Sequence, residues 1–331
     1  MTETNIQTIQ KRVEQIGFVG KNLISISDLT DKQLYGLFEL ALALEPWNRS
    51  KVDILKGNLL VTLFFQPSTR TRMSFETAML RLGGDVVSEP NPLVSSSAAK
   101  EESLNDTMRV VSQYANIIVL RHPDADEAEE GVSYAESPVI SGGFGHREHP
   151  TQALLDLYTL WRTYGRVEGL KICIASPDLV KARTGHSMAK GLARLGAKVY
   201  LASLGEYRTP DHVMQDVRTL SSDVEEVCDQ TQDEFNTFAL DMDLIYLPGC
   251  SAPAGTESDA FKKMMEPYVL RYDTIKEAFD KGQRLYVTHT LPRRAGEMDL
   301  RIDYSPGELM FKAIAYSVSI RSALILSILG A

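Results

Sequence analysis

Apolar residues along the chain fall into short continuous runs that alternate with stretches in which they recur at three and four, the signature of strands and helices taken in turn. Gly57 to Phe65 (GNLLVTLFF) reads as a strand, broken by Gln66-Pro67. Ser74 to Leu82 follows with Phe75, Ala78, Met79 and Leu82 on one helical stripe, and Gly83-Gly84 supplies the stop. Asp85-Val86-Val87 then opens the next strand. Asn116 to Leu120 (NIIVL) is a further strand that runs into the basic pair Arg121-His122.

The second half repeats the alternation. Thr151 onward (TQALLDLYTLWRTYG) is helical in period, with Leu154, Leu157, Tyr158 and Trp161 on one stripe, and it is placed to bridge two domains. Lys171 to Ala175, Lys198 to Ala202, Asp243 to Leu247 and Arg284 to Thr288 read as strands, and Ser187 to Leu195 as a helix stopped by Gly196. This order predicts an α/β fold of two doubly wound parallel-sheet domains joined by helices. The expected division is 1–150 plus a C-terminal helix at 307–331, against 151–306. Gly307 to Leu329 is long and apolar, but Glu308, Lys312 and Arg321 inside it favour a packed helix over a membrane span.

Composition narrows the class rather than the function. The chain has 331 residues, long for one core, with 44% hydrophobic and 24% charged residues, values ordinary for globular proteins. The net charge of −9 argues against general attraction to nucleic acid or an acidic membrane, so any anion must be met by a local basic cluster. Cys173, Cys228 and Cys250 are widely spaced, which predicts neither a disulfide framework nor a zinc site and suits a reducing cytoplasm. The first residues lack the apolar core of a signal peptide.

The densest chemical signal is Ser68-Thr69-Arg70-Thr71-Arg72, between a strand and a helix. Helix-start amides, three hydroxyls and two guanidinium forks suit a phosphate, although a capped helix with solvated arginines reads the same way. The Gly-rich spacing and Lys-Ser/Thr ending of an ATP-binding loop are missing. His149, Arg121 and Gln152 taken singly read first as a structural histidine, a surface ion pair and a solvated helix residue.

Their order changes that reading. FFQPSTRTRMSFETAMLRLGGDVV resembles the carbamoyl-phosphate motif of the aspartate and ornithine carbamoyltransferases. The resemblance continues as Lys100-Glu101-Glu102-Ser103-Leu104-Asn105-Asp106-Thr107, Arg121-His122-Pro123, His149-Pro150-Thr151-Gln152 and His289-Thr290-Leu291-Pro292-Arg293. It implies transfer of a carbamoyl group from carbamoyl phosphate to a small amine or amino acid, with no metal and no organic cofactor. Ser68, Thr69, Arg70 and Thr71 would hold the phosphate; Thr71, Arg121 and His149 the carbonyl oxygen; Gln152 the carbamoyl nitrogen. Arg70, Thr71, Arg121 and His149 are the implied catalytic residues. The family also implies a homotrimer in which Ser96 and Lys100 reach the neighbouring subunit's site, and a bend at Leu291-Pro292 whose backbone carbonyl meets the substrates.

The acceptor half departs from the pattern. Arg183 matches the arginine that grips a substrate carboxylate in aspartate enzymes. After the strand Asp243 to Leu247, however, PGCSAPAGTES stands where those enzymes carry R-x-Q-x-E-R, and the S-M-G motif of ornithine enzymes is not visible. A carboxylate buried without its cation is expensive, so the acceptor is expected to be neither aspartate nor ornithine, unless Lys262 or Lys263 has taken over. Gln66 and Thr290 also replace family residues, and Cys250 is a candidate for the pocket lining, a flexible glycine- and proline-rich loop being an equal explanation of that segment. The alternatives are an aspartate carbamoyltransferase with a variant clamp, and a non-catalytic anion-binding relative.

Overall fold

The computed structural model describes residues 3–95, 101–250, 258–294 and 296–331. By their contacts the chain divides into two compact units, Met1–Tyr158 with Ala315–Ala331, and Thr159–Ile314.

In the first unit two helices, α1 (Glu3–Ile16) and α2 (Asp31–Leu44), precede the sheet. Thr30 and Gln33 form a reciprocal capping box at the start of α2, which satisfies donors that a helix start otherwise leaves open. The alternation then runs β1 (Leu59–Phe64), α3 (Thr69–Arg81), β2 (Asp85–Glu89), α4 (Pro92–Ser95), α5 (Leu104–Ser112), β3 (Ile117–His122), α6 (Ala125–Ser133), β4 (Val139–Phe144) and the start of α7 (Pro150–Tyr164). The sheet order is β2-β1-β3-β4, every pairing parallel, with Thr62 beside Ser88 and Phe64 beside Arg121. Val61, Leu63, Ile118, Leu120, Met108 and Val132 fill the core on one face. Each such side chain contributes about 1.5–3 kcal/mol by leaving water.

The second unit runs β5 (Lys171–Ala175), α8 (Arg183–Arg194), β6 (Lys198–Ser203), α9 (Asp211–Leu220), β7 (Val224–Cys228), α10 (Gln232–Ala239), β8 (Leu244–Leu247), α11 (Ser258–Met265), α12 (Tyr272–Asp280) and β9 (Tyr286–His289), before α13 (Met310–Leu329). Its sheet order is β7-β6-β5-β8-β9, again all parallel. The unit boundary falls inside α7 and inside α13.

The expected α/β class with two parallel sheets is therefore the observed one. In each sheet the strand order reverses once, between β1 and β3 and between β5 and β8. At such a reversal the loops leaving the carboxyl ends diverge and open a crevice, the usual ligand position in open parallel sheets. The STRTR segment follows β1 and Arg121 ends β3; Ser176 follows β5 and Cys250 follows β8.

Two helices begin earlier than their apolar period suggests. The first starts at Thr69 rather than Ser74, and the other at Arg183 rather than Ser187. In both, the opening turn is polar, so periodicity is silent there. α13 is long and apolar enough by composition to cross a bilayer, yet Ile320, Leu324, Ile325 and Leu326 are buried within the protein.

Candidate active site

The anion-binding segment is the first turn of α3. Ser68 is the N-cap, with an extended backbone, and its hydroxyl does not cap the helix. The start of α3 thus lacks the side-chain acceptor that closes α2, leaving a partial positive charge for an external anion. Thr71 turns inward and is buried; Ser68 is half-buried; Thr69 and Arg70 face outward. Partial burial lowers the Arg70 pKa from its ordinary value.

Arg72 does not join them. Its Nη1 lies 2.9 Å from Glu76 Oε1 and 2.9 Å from Ser88 Oγ, while Thr62 Oγ1 donates to the same carboxylate at 2.9 Å. The two guanidinium forks in the sequence therefore divide: Arg70 faces outward and Arg72 ties α3 to β1 and β2. Arg72→Ala is expected to destabilise the protein by about 1–2 kcal/mol, because the pair is largely shielded, and to change phosphate affinity by less than about twofold. Thermal melts with and without inorganic phosphate check both numbers.

His149 is buried immediately before α7, with Nε2 3.4 Å from Thr71 Oγ1 and Nδ1 3.4 Å from Thr151 Oγ1. At the end of β3, Arg121 Nη1 donates to Gly142 O at 3.0 Å. A Cβ on Gly142 would come within 3.3 Å of Leu120 O and of the Phe64 ring, so glycine there suits the close packing of β4 on β3. Gln152, in the first turn of α7, donates from Nε2 to both carboxylate oxygens of Asp156 at 3.1 Å. The first unit thus brings Thr71 and His149 together and sets Arg121 and Gln152 on the neighbouring elements β3 and α7. Ser96 and Lys100 lie outside the described residues.

The second unit holds another polar cluster at its own strand reversal. Pro248 O accepts from Thr290 Oγ1 at 2.8 Å and from Thr184 Oγ1 at 3.4 Å, joining the ends of β8 and β9 to the start of α8. Thr290 therefore supplies a hydroxyl that ties the end of β9 to the segment after β8. Arg183 is the first residue of α8, half-buried, and burial lowers its pKa. Leu291 has φ of 54°, in the left-handed region, and precedes Pro292 through a cis peptide bond. Its N–H donates to His289 Nδ1 at 2.8 Å, so the imidazole proton sits on Nε2, which donates to Glu297 Oε2 at 3.0 Å.

Glu297, which the sequence reading did not single out, is the hub of this cluster. It is 3% exposed and also accepts from Cys250 N at 3.1 Å and Arg294 N at 2.6 Å. Burial pushes its pKa up, but the hydrogen bonds from His289, Arg294 and Cys250 outweigh that, and the net shift is downward. Ser176, Gly249, Cys250, His289 and Glu297 line a small hollow. Burial drives the Cys250 thiol up to about 11, so it is protonated at neutral pH and not a nucleophile.

With both clusters placed, similarity to known proteins can be read against them. The profile of the aspartate/ornithine carbamoyltransferase carbamoyl-P binding domain matches residues 21–162, and that of the Asp/Orn binding domain matches residues 168–328. The chain belongs to the aspartate/ornithine carbamoyltransferase family. Carbamoyl transfer to an amino group is accordingly its chemistry. Among its relatives, a ureidoglycine carbamoyltransferase of Rubrobacter xylanophilus is 63% identical over 329 residues, covering 99% of this chain and 97% of that one. The aspartate carbamoyltransferase catalytic subunit of Methanopyrus kandleri is 38% identical, covering 95% and 98%. Among solved structures, aspartate transcarbamoylase of Trypanosoma cruzi with N-(phosphonacetyl)-L-aspartic acid superposes with a TM-score of 0.85 at 29% identity, covering 94% and 97%. The carbamoyltransferase family thus extends across both units.

Proposed function

We propose that this carbamoyltransferase uses ureidoglycine, or a closely similar ureido-bearing amino acid, as its acceptor. The observation that carries the proposal is the 63% identity to a ureidoglycine carbamoyltransferase along nearly the whole chain, against 38% to an aspartate enzyme. The chemistry of the acceptor region agrees. Aspartate brings two carboxylates, whereas ureidoglycine brings one carboxylate, an amino group and a neutral ureido group. Arg183 suits the single carboxylate. In place of a second cationic clamp this chain has Pro248-Gly249-Cys250, and beside it the ionised Glu297, surroundings that disfavour another anion and suit a neutral hydrogen-bonding group.

In the proposed reaction carbamoyl phosphate is bound by the first unit, its phosphate on the amides and side chains of Ser68, Thr69, Arg70 and Thr71. The acceptor amine forms a C–N bond to the carbonyl carbon, and the carbonyl electron pair moves to oxygen. Thr71, Arg121 and His149 donate to that developing oxyanion, as charge builds on it in the transition state. Gln152 accepts from the carbamoyl NH₂. Collapse breaks the C–O bond to phosphorus, and the departing phosphate takes the amine proton, leaving a ureido product and inorganic phosphate. Leu291 and Pro292 form the bend of the second unit that would meet the acceptor.

A homotrimer with shared sites belongs to the same proposal, with Ser96 and Lys100 reaching the neighbouring subunit. Its support is the exposed apolar set Met73 and Leu80 on α3, Val87 on the edge strand β2, and Leu93 and Val94 on α4, which lead into that segment. A cytoplasmic location suits the three free thiols, Cys173, Cys228 and Cys250.

Phosphate release from carbamoyl phosphate, measured with ureidoglycine, aspartate and ornithine, tests the acceptor. Turnover with ureidoglycine is expected to exceed that with aspartate by at least about 10²-fold, the discrimination available when a wrong ligand leaves a charge unpaired. Comparable turnover of aspartate would replace the proposal with a variant aspartate clamp, and no release with any amine would replace it with an anion-binding relative.

A further inference from the structure

We infer that Asp156 is a positioning residue that fixes which face of the Gln152 amide the carbamoyl group meets. The inference rests on the proposed role of Gln152 above and adds a residue that does not itself touch the substrate. Both carboxylate oxygens of Asp156 lie 3.1 Å from Gln152 Nε2, one helical turn away on α7. A carboxylate only accepts, so the pair holds together only while Gln152 presents its NH₂ to Asp156 and its Oε1 away from it. That Oε1 can accept from the NH₂ of carbamoyl phosphate. A flipped Gln152 would offer a donor to a donor.

The device is anchored from below. Asp156 is 5% exposed, and Arg321 on α13 is 3% exposed. Burial pushes the Arg321 guanidinium down to about 10, with the Asp156 charge acting in the opposite direction. Arg321 also lies over the Phe75 ring of α3 at 5.2 Å and donates to Ser317 O at 3.3 Å. The Asp156 charge thus acts on Arg321 through space, against the effect of burial. Asp156 thus bears on both the guanidinium of Arg321 and the Gln152 amide.

The selective consequence is for carbamoyl phosphate against isosteres lacking the NH₂. Phosphonoacetamide carries that group on a stable frame; acetonylphosphonate has a methyl in its place. Asp156→Asn keeps the packing but can both donate and accept, so it permits either orientation of Gln152. Calorimetric binding to the full-length protein is expected to show phosphonoacetamide weakened by about tenfold in Asp156→Asn, the scale of one hydrogen bond lost, with acetonylphosphonate changed by less than about twofold. In a Gln152→Ala background, Asp156→Asn is expected to add less than about twofold, because the amide it orients is gone.

Because Asp156→Asn leaves Arg321 short of a charge, Asp156→Asn with Arg321→Met provides a second variant without a buried unpaired cation, and it should show the same selective loss. Equal weakening of both phosphonates, or a full additional loss on top of Gln152→Ala, would assign Asp156 a purely structural role and overturn the inference. Wild-type protein that binds the two phosphonates equally would instead remove the role of Gln152 on which it rests.

Discussion

Arg70→Ala is expected to lower kcat/KM for carbamoyl phosphate by about 10³-fold, or about 4 kcal/mol of transition-state stabilisation. The departing phosphate gains charge as the C–O bond breaks, so a guanidinium placed on it contributes more in the transition state than in the ground state. What remains is the start of α3, whose uncapped amides and hydroxyls still attract an anion, so binding should weaken without vanishing. Arg70→Lys keeps the charge but loses the planar fork, and should recover only part of the loss. Thermal stability should move little, since Arg70 faces outward on the first turn. Steady-state kinetics beside a melting curve distinguish this from a solvated arginine, for which kcat/KM would stay within about twofold of wild type. The contrast with Arg72, two residues away and tied to Glu76, sharpens the test, because that substitution should change the melting curve and spare the kinetics.

How far these assignments were legible in the sequence depended on where apolar residues lie. The buried strands were readable because they are continuous apolar runs, as at Leu59–Phe64 and Lys171–Ala175. The helix starts that carry Arg70 and Arg183 were not, because a turn made of Thr, Arg, Gly and Ser has no apolar period even when Thr71 points inward. β4 was missed for a related reason: VISGGF contains a glycine pair that reads as a turn, whereas all six residues are buried in the sheet. The chemical motifs were visible because their order along the chain matches a family. The division between Arg70 and Arg72 was not visible, since it depends on Glu76 and on Ser88 across the sheet. Glu297 escaped for the same reason, whereas Asp156 stands four residues after Gln152 on one helix, a local spacing whose pairing only the structure shows. Glu297 acts through partners set by backbone bends, and neither residue belongs to a motif that announces it.

Glu297→Gln is the substitution expected to disturb the second unit most. The carboxylate accepts from the N–H groups of Cys250 and Arg294 and from His289 Nε2, and every one of these partners is a donor. A glutamine amide must turn its NH₂ toward at least one of them, and that donor is then buried facing another donor. The expected loss is about 3 kcal/mol, more than an ordinary hydrogen bond, because the carboxylate is buried and the lost acceptor was charged. The pH dependence should change with it. Glu297 has a folded-state pKa below its ordinary value, so its contribution is present above the ordinary glutamate pKa and fades as pH falls through the lower folded value. Wild-type protein should therefore lose stability on acidification more steeply than the glutamine variant, and the difference between them should shrink toward low pH. Function should follow the structure. His289 accepts from Leu291 N–H only while its proton is kept on Nε2 by Glu297, and Cys250 is held through its own amide. Loosening both frees the Leu291 bend and the Pro248-Gly249-Cys250 segment together. The variant's KM for the acceptor should rise by about tenfold or more, while phosphate affinity, set in the first unit, stays near wild type. Denaturant melts across pH, with acceptor KM at neutral pH, measure both parts; a variant as stable as wild type with unchanged acceptor KM would show that the hub is dispensable.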